Sequence, residues 1–388
     1  MTEPAPAIAP TAPAPVSAGL APANRTRFLF FLVFLALLYV PGFILDPHYR
    51  LPQFNRFLAL ALFALSVDLI WGYTGLLSLG HGLYFGLGAY LTAYSLKLQK
   101  AAMDAADFAT KGRYYQGRDM AMPDFMFQGQ LNQVPALIAP LINIYLALFL
   151  AVLIPTVTAT FFGWVVFRRR IKGVYFSLIT QALVYAFFTL VSTQRSYTGG
   201  VDGQPGLANL ELFGFEFTNY FHFNLVVVTL LCLFALASYA LIQSKFGKIL
   251  TAIRDNEFRV MALGYDTALY KTFVFGFAGM VAGVAGSLFV CANESASPQF
   301  FSIEESIVVV IFVAVGGRGT LVGPILGALL VSVGKDQINS QFSAAWPIVL
   351  GGMFVGVVLF LPDGIVGGGA RILKYVKRSK STAHAAIG

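Results

Sequence analysis

Long apolar runs separated by short polar stretches fill most of this chain, and the pattern predicts membrane-spanning helices. The runs lack the two-residue alternation of a membrane β-barrel strand, and a spanning helix satisfies its own backbone hydrogen bonds inside a bilayer. Ten spans are expected, at residues 28–45, 55–72, 76–96, 138–167, 171–192, 222–243, 271–292, 303–316, 320–335 and 345–361. The fourth run exceeds one bilayer thickness, so its helix is expected to tilt or to kink near Pro155.

Composition agrees with this pattern, because 57% of the residues are hydrophobic and only 11% are charged. Soluble domains carry roughly 25% charged residues. The predicted fold class is therefore an all-α integral membrane protein, a bundle of about ten transmembrane helices. The net charge of +8 does not indicate a nucleic-acid partner, since the basic residues form short clusters beside apolar runs. Cys232 and Cys291 lie within apolar runs and are expected to be buried free thiols.

Clusters of Lys and Arg beside the spans predict the orientation, because cytoplasmic loops are enriched in basic residues. The clusters are Arg25 and Arg27; Arg168, Arg169, Arg170 and Lys172; Lys245, Lys248, Arg254 and Arg259; and Arg371, Lys374, Lys377, Arg378 and Lys380. With ten spans they all fall on one side, so both termini are expected in the cytoplasm. The loops at 193–221 and 293–302 are expected outside. The insertion at 97–136 is also placed outside, although its five basic residues argue against that side.

The two ends of the chain differ from its middle. Residues 1–24 are mostly Ala, Pro and other small residues, which cannot bury a core, so a disordered cytoplasmic tail is predicted. Residues 368–388 are expected to form a basic cytoplasmic tail, which leaves 25–367 as the membrane domain.

One charged segment interrupts the apolar pattern at residues 245–266. Its apolar residues recur at helical spacing, so a short helix would present an apolar stripe and a charged face. The stripe consists of Phe246, Ile249, Leu250, Ile253, Val260 and Leu263. The segment is either a solvated or lipid-bound anchor of the topology or a surface for a partner protein. Acidic residues among the basic ones favour the partner, which would also cover the stripe.

The stretch "AIRDNEFRVMALGYD" at 252–266 resembles the cytoplasmic coupling segment of permeases from ABC importers of the branched-chain amino acid type. Three more stretches resemble the same family: "TGLLSLGHGLYFGLGAYLTAY" (74–94), "VAVGGRGTLVGPILGALL" (313–330) and "FLPDGIVGG" (360–368). The resemblance implies that 25–367 is a permease domain and that 244–270 is a cytoplasmic segment whose helix docks on an ATPase subunit. The residues expected to couple to that ATPase are Gly247, Ala252, Ile253, Arg254, Asp255, Asn256, Glu257 and Gly264.

Within that family the chain looks most like the longer permease of a urea importer. The stretch "MPDFM" at 122–126, inside the enlarged insertion, and "RDNE" at 254–257 carry this subdivision. Transport of urea or short amides is therefore the first expectation. A branched-chain amino acid permease is the alternative.

The resemblance also implies partners. The sequence contains no phosphate-binding loop ending in Lys-Ser or Lys-Thr, and "GGRGT" at 316–320 is expected to be a tight cytoplasmic turn. ATP hydrolysis is therefore assigned to other chains, with no cofactor or metal on this one. The expected assembly contains a second related permease, two ATP-binding subunits and an external substrate-binding protein, in the bacterial plasma membrane. The loop at 198–206 is either a compact turn or part of the surface for that binding protein.

Polar groups inside the spans are candidates for the translocation path, because ionisable side chains are costly there. The candidates are Ser66, Asp68, Thr74, Ser78, His81 and Gln181. His81 fits a structural histidine as well as a substrate contact, and Asp68 is expected to pair with a basic or amide group. Glu304 and Glu305 fit a helix start.

Glycines point to close helix contacts. The pairs Gly82/Gly86, Gly279/Gly283, Gly323/Gly327 and Gly352/Gly356 permit close packing, whether static or sliding. The dense run from Gly80 to Gly88 predicts an unwound or broken helix beside the path.

Two other classes of protein remain open. A secondary transporter or channel would need coupling-ion residues in the spans, and Asp68 with His81 is a thin supply. A membrane-embedded enzyme is disfavoured, because no catalytic constellation appears and the chain holds only four His residues.

Overall fold

The computed structural model describes most of the chain between residues 22 and 367. The described ranges are 22–110, 122–131, 133–171, 173–212, 214–341, 348–349, 351–353, 355–356 and 364–367. The expected tail at 368–388, nearly all of the tail at 1–24 and most of the tenth span therefore lie outside the described residues.

Helices make up most of the described structure. They are α1 (Pro22–Leu37), α2 (Val40–Ile44), α3 (Arg50–Thr74), α4 (Gly82–Thr110), α5 (Asp124–Gln128), α6 (Ile144–Arg168), α7 (Val174–Thr193), α8 (Arg195–Thr198), α9 (Tyr220–Gln243), α10 (Lys245–Ala262), α11 (Thr267–Asn293), α12 (Ile303–Gly316) and α13 (Val322–Gln341). Short 3-10 turns cover Ala139–Ile142, Gly200–Asp202 and Pro298–Phe301. Two small antiparallel pairs join β1 (Gln204–Pro205) to β4 (Ser295–Ala296) and β2 (Glu211–Leu212) to β3 (Phe215–Glu216).

Side-chain caps explain where several helices begin. Asn143 accepts a hydrogen bond from the Tyr145 amide at the start of α6, and Asn219 does the same for α9. Asp266 caps α11 and Ser302 caps α12. Each cap satisfies an amide that has no partner within its own helix. At the other end of α3, Gly75 adopts φ 75°, a left-handed conformation that ends helices.

Among the described residues, five helices are long and apolar enough to cross a membrane: α3, α6, α7, α9 and α11. They correspond to the second, fourth, fifth, sixth and seventh expected spans. The first expected span is divided into α1 and α2 by a turn at Leu38 and Tyr39, and Pro41 lies in the first turn of α2, where a proline is tolerated. The total of ten spans stays a prediction.

Two of the expected spans begin six residues later than the apolar pattern suggested. The fourth run starts with the 3-10 turn at Ala139–Ile142, so α6 itself has 25 residues and runs through Pro155. The third was expected from residue 76, but residues 75–81 are not helical and α4 starts at Gly82. The unwound segment predicted from the run Gly80 to Gly88 therefore exists. It lies mostly before these glycines in the chain and not within their run.

The centre of the bundle is formed by α3 and α11. The most apolar 18-residue windows of these helices are 83% and 78% buried, whereas those of α6, α7 and α9 are 28%, 22% and 33% buried. The latter three therefore have faces available to lipid or to another subunit. The backbones of α4 and α11 come close together, because a Cβ on Gly88 would overlap the backbone of Gly283.

The segments expected outside contact one another at one end of the bundle. Lys97 pairs with Asp124 at 3.2 Å and donates to the Pro205 carbonyl at 2.7 Å. Ser196 donates to the Gly129 carbonyl, and β1 pairs with β4. The insertion and the two loops thus form one outer end. The charged segment lies between the last residues of α9 and the first residues of α11, at the opposite end. Which end faces the cytoplasm stays a prediction.

Candidate functional site

The charged segment forms the helix α10, which bends at Asn256. This residue has an extended backbone (φ −160°, ψ 96°) inside the helix. Its side-chain oxygen accepts a hydrogen bond from the Arg259 amide at 3.0 Å, as an N-cap does. Asn256 therefore caps a second helical segment, and α10 consists of two halves whose helix axes can differ in direction.

The apolar stripe of α10 faces its own bundle. Leu250, Ile253 and Val260 are buried against the rest of the chain, and Leu250 belongs to the main hydrophobic core. Gly247 permits the tight turn from α9, since a Cβ there would overlap the Ile242 backbone. The argument that a partner must cover this stripe was therefore wrong. Most of the stripe is covered within the chain, because the segment folds back against the helix ends.

A different face of α10 is exposed. It carries two large apolar side chains, Phe258 (73% exposed) and Leu263 (72% exposed), although Leu263 was expected in the stripe. Arg254, from the set expected to couple to an ATPase, is also exposed but bonds inward to α3. Four more residues of that set are exposed: Ala252, Asp255, Asn256 and Gly264. Together with Phe258 and Leu263 they form what we call the outward face of α10. A surface that mixes apolar and charged groups is typical of a protein interface.

Arg254 joins the first half of α10 to the end of α3. Its Nη1 donates to the Gly72 carbonyl oxygen at 2.8 Å. Gly72 lies in the last turn of α3, where carbonyls have no partner within the helix and the helix dipole favours a cation. The bond therefore satisfies one of these carbonyls with a charged donor from another segment.

The last two turns of α3 also hold the loop between α12 and α13. Asp68 accepts a hydrogen bond from the Gly319 amide at 2.6 Å, and the Tyr73 hydroxyl donates to the Gly319 carbonyl at 3.1 Å. Gly72 lies so close that a Cβ there would be 2.5 Å from the Gly319 nitrogen. We call Asp68, Gly72, Tyr73, Arg254 and Gly319 the junction.

Glu257 joins the second half of α10 to α11. It forms an ion pair with Lys271, and the Thr267 hydroxyl donates to the same carboxylate oxygen at 2.9 Å. The side chains of Lys271 and Glu257 are only 5% and 15% exposed. On either side of the bend, α10 is thus bonded to one of the two central helices.

The four stretches that resemble the permease family meet beside the junction. A cavity of about 560 Å³ is lined by residues of all four stretches and by two residues that shortly precede the first one. The lining residues are Trp71, Gly72, Gly75, Arg254, Arg318, Thr320 and Gly367. Residues 317–320 form the tight turn expected there, and Gly364 packs against Gly317. Arg318 lies over the Trp71 ring, 5.8 Å from its centroid. Segments far apart in sequence therefore converge at this end of the bundle.

The unwound segment at 75–81 continues directly from α3. The Ser177 hydroxyl of α7 donates to the Leu77 carbonyl at 2.6 Å, and the Leu79 amide donates to Thr180 at 3.2 Å. Gly82, which follows the segment, donates its amide to Ser306 of α12 at 3.1 Å. Hydroxyls of two neighbouring helices thus replace part of the missing helical hydrogen bonds.

The path candidates fall into two groups. Ser78 and His81 lie together in the unwound segment, both buried, and neither ring nitrogen of His81 has a hydrogen-bond partner among the residues that the structure describes. Gln181 is half-buried on α7, next to Thr180, which contacts the same segment. These three residues share one region.

The remaining candidates already have backbone partners. Ser66 donates to the Phe63 carbonyl, and Thr74 donates to the Ile70 carbonyl. Asp68 lies at the junction with an amide partner of the kind expected for it, although the amide belongs to the backbone. Whether any of these residues contacts a transported solute stays a prediction.

Two site residues were missed in the sequence. Tyr73 lies between the second and third expected spans and was not singled out, and Lys271 was read only as the first residue of the seventh expected span. The Lys271–Glu257 pair could have been predicted from the sequence. A buried lysine at the edge of a span needs an acidic partner, and Glu257 is close to Lys271 in the chain. In the part of the chain that the structure describes, no group of three or more His, Cys, Asp or Glu residues is placed to hold a metal ion.

Comparison with known proteins agrees with this architecture. Residues 52–361 match the model of the branched-chain amino acid transport system permease component. The chain therefore belongs to this family of permease components.

Curated relatives share modest identity with the chain. The high-affinity branched-chain amino acid transport system permease protein LivM of Salmonella typhimurium is 24% identical over 328 residues, which is 79% of this chain and 67% of the relative. LivM of Escherichia coli gives the same values. The ribose import permease protein RbsC of Haemophilus influenzae is 24% identical over 242 residues, or 60% of this chain and 73% of the relative. No solved structure matches the chain.

Proposed function

We propose that the chain is the membrane-spanning permease subunit of an ATP-driven importer, and that α10 is the surface on which a separate ATPase subunit acts. The observation that carries this proposal is the placement of α10. One face is outward, and the other side is bonded through Arg254 to α3 and through Glu257 to α11. A partner that pushes on the outward face would therefore act on the two most buried of the five span-length helices.

The other members of the assembly follow from this role. The proposed complex contains a second related permease, two ATP-binding subunits and an external substrate-binding protein, in the bacterial plasma membrane. The exposed sides of α6, α7 and α9 offer surface to lipid and to the second permease. Both termini are assigned to the cytoplasm, with α10, and the outer end is assigned to the binding protein.

The ATPase contact can be tested by charge substitution on the outward face. Replacing Phe258 and Leu263 by Asp places two anions on the apolar part of this face, so the ATPase chains should no longer co-purify with the full importer. Phe215→Asp is the matched control. It changes an apolar side chain of similar exposure (75%) at the outer end and should leave co-purification intact. Retention of the ATPase chains by the Phe258→Asp/Leu263→Asp variant would contradict the proposal.

For the cargo we propose branched-chain amino acids, because the LivM relatives are named for them. The expectation of urea rests on two short stretches, "MPDFM" and "RDNE". In the first of these, Met122, Phe125 and Met126 are buried together and pack the insertion onto the outer end. A packing role therefore accounts for that stretch without reference to a solute.

Uptake measurements decide between the two solutes. Cells that lack this chain should lose uptake of labelled leucine and keep uptake of labelled urea. Restoring the gene should restore leucine uptake. Loss of urea uptake with unchanged leucine uptake would overturn the cargo assignment and support the urea importer. Uphill transport by the isolated chain, without ATPase subunits, would instead indicate a secondary transporter.

A further inference from the structure

The junction connects three segments that are distant in sequence. Arg254 lies 182 positions from its partner Gly72, and Gly319 lies 251 positions from Asp68. All three segments meet within the last two turns of α3. The contact between Asp68 and Gly319 does not follow from the coupling role of α10 alone, since a docking helix does not require that the loop between α12 and α13 be fixed to α3.

The Gly319 peptide unit is held on both sides by α3. Asp68 binds its amide and Tyr73 binds its carbonyl, and the Asp68 side chain is completely buried. Separating the loop from α3 would leave a buried carboxylate without its amide partner, which is far more costly than losing a hydrogen bond on the surface. The loop and the end of α3 therefore move together.

The end of α3 also leads directly into the unwound segment. Gly75 follows the last helical residue of α3, and the Arg254 side chain lies beside it. Six residues further on is His81, with Ser78 between them. Any displacement of the last turn of α3 must therefore displace the segment that carries two path candidates.

We propose that the junction transmits the motion of α10 to the unwound segment and to the α12–α13 loop at the same time. In this role Arg254 is a positioning residue that acts through Gly72. Asp68 and Tyr73 join the loop to α3, so Asp68 serves transmission instead of contacting the solute. The inference rests on the proposed function, because it requires that a partner moves α10.

A purely structural junction makes a different prediction. It would lower the amount of folded protein or its resistance to heat, but the importer that remains would move the same quantity of solute for each ATP hydrolysed. A transmitting junction changes that ratio. The ratio of solute imported to ATP hydrolysed, measured with the complete importer in liposomes, therefore separates the two roles.

Tyr73→Phe is the most selective variant, since it removes a single hydroxyl and keeps the ring. We expect solute import per ATP to fall about three- to tenfold, the effect of losing one hydrogen bond during the transport step. Tyr94→Phe is the matched control, because the Tyr94 hydroxyl donates to the Tyr197 carbonyl at 2.8 Å at the outer end. This variant should keep the wild-type ratio. Equal ratios in Tyr73→Phe and wild type would overturn the inference.

Arg254 provides a graded series. Arg254→Lys keeps a cationic donor and should retain part of the ratio, whereas Arg254→Ala should lose more of it. A full ratio in Arg254→Ala would also overturn the inference. Failure of the wild-type chain to bind any ATPase would overturn the proposed function instead, so the two failures are distinguishable.

Discussion

Two lysine–carboxylate pairs, one at each end of the bundle, show how differently the ends are built. At the outer end Lys97 pairs with Asp124, whose side chain is 84% exposed. At the other end Lys271 pairs with Glu257, whose side chain is 15% exposed. The two lysines are almost equally buried. The difference lies in the partner, because Asp124 belongs to a surface insertion and Glu257 to a helix that folds back onto the bundle.

The two ends also differ in the helices to which a force on them would be transmitted. Outer segments are bonded to one another, as in the β1–β4 pair and the bond from Ser196 to Gly129, and to α4 through Lys97 and Tyr94. In contrast, α10 is bonded to α3 and α11. A force on α10 would therefore reach these two helices directly.

The largest effect is expected from breaking the inner pair. Glu257→Ala leaves the Lys271 ammonium buried without its carboxylate, which costs about 3–5 kcal/mol. Asp124→Ala should cost less than about 1 kcal/mol, because that carboxylate is solvated and Lys97 keeps the Pro205 carbonyl. Thermal unfolding of the purified protein in detergent measures both. Equal losses would contradict the contrast between the two ends.

A methyl group at the junction should have the next largest effect. In Gly72→Ala the added Cβ collides with backbone atoms of Gly319, and such overpacking costs about 1–3 kcal/mol. Gly334→Ala, in the helix α13, meets no atom within 4 Å and should be neutral or stabilising by up to about 1 kcal/mol. The thermal midpoints of the two variants test this contrast. Similar midpoints would show that the loop can separate from α3 at little cost.

The smallest effect is expected from a polar contact near the outer end. Asn224 donates to Asn55 at 2.6 Å, and both side chains are buried. Asn55→Ala should cost about 1–2 kcal/mol, since it leaves the Asn224 amide without this acceptor. Solute import per ATP should stay at the wild-type value, because this contact lies away from α10. A reduced ratio would mean that coupling is not confined to the inner end.

Local features of the fold were predictable from the sequence. The spans expected at 55–72, 222–243 and 271–292 lie within α3, α9 and α11, because apolar length is recorded in neighbouring residues. The charged segment was expected to be helical and is. Its bend at Asn256 was not expected, since the backbone there depends on how each half of α10 packs.

The junction could not have been predicted in the same way. Its contacts join residues that are far apart in the chain, and no periodicity relates Asp68 to Gly319. The apolar stripe of α10 was wrongly taken as a surface for a partner protein for a similar reason. Its spacing showed that something covers the stripe, but an amphipathic pattern is the same whether the covering surface belongs to a partner or to the chain itself.

Hydrogen exchange of α10 is the most direct test of the central claim, that a separate ATPase acts on the outward face. Amide exchange over residues 250–266 would be compared in the complete importer and in the same permease stripped of its ATPase chains. The account predicts strong protection of this segment in the complete importer and no change at residues 204–216 of the outer end. Unchanged exchange across 250–266, with protection elsewhere, would contradict it.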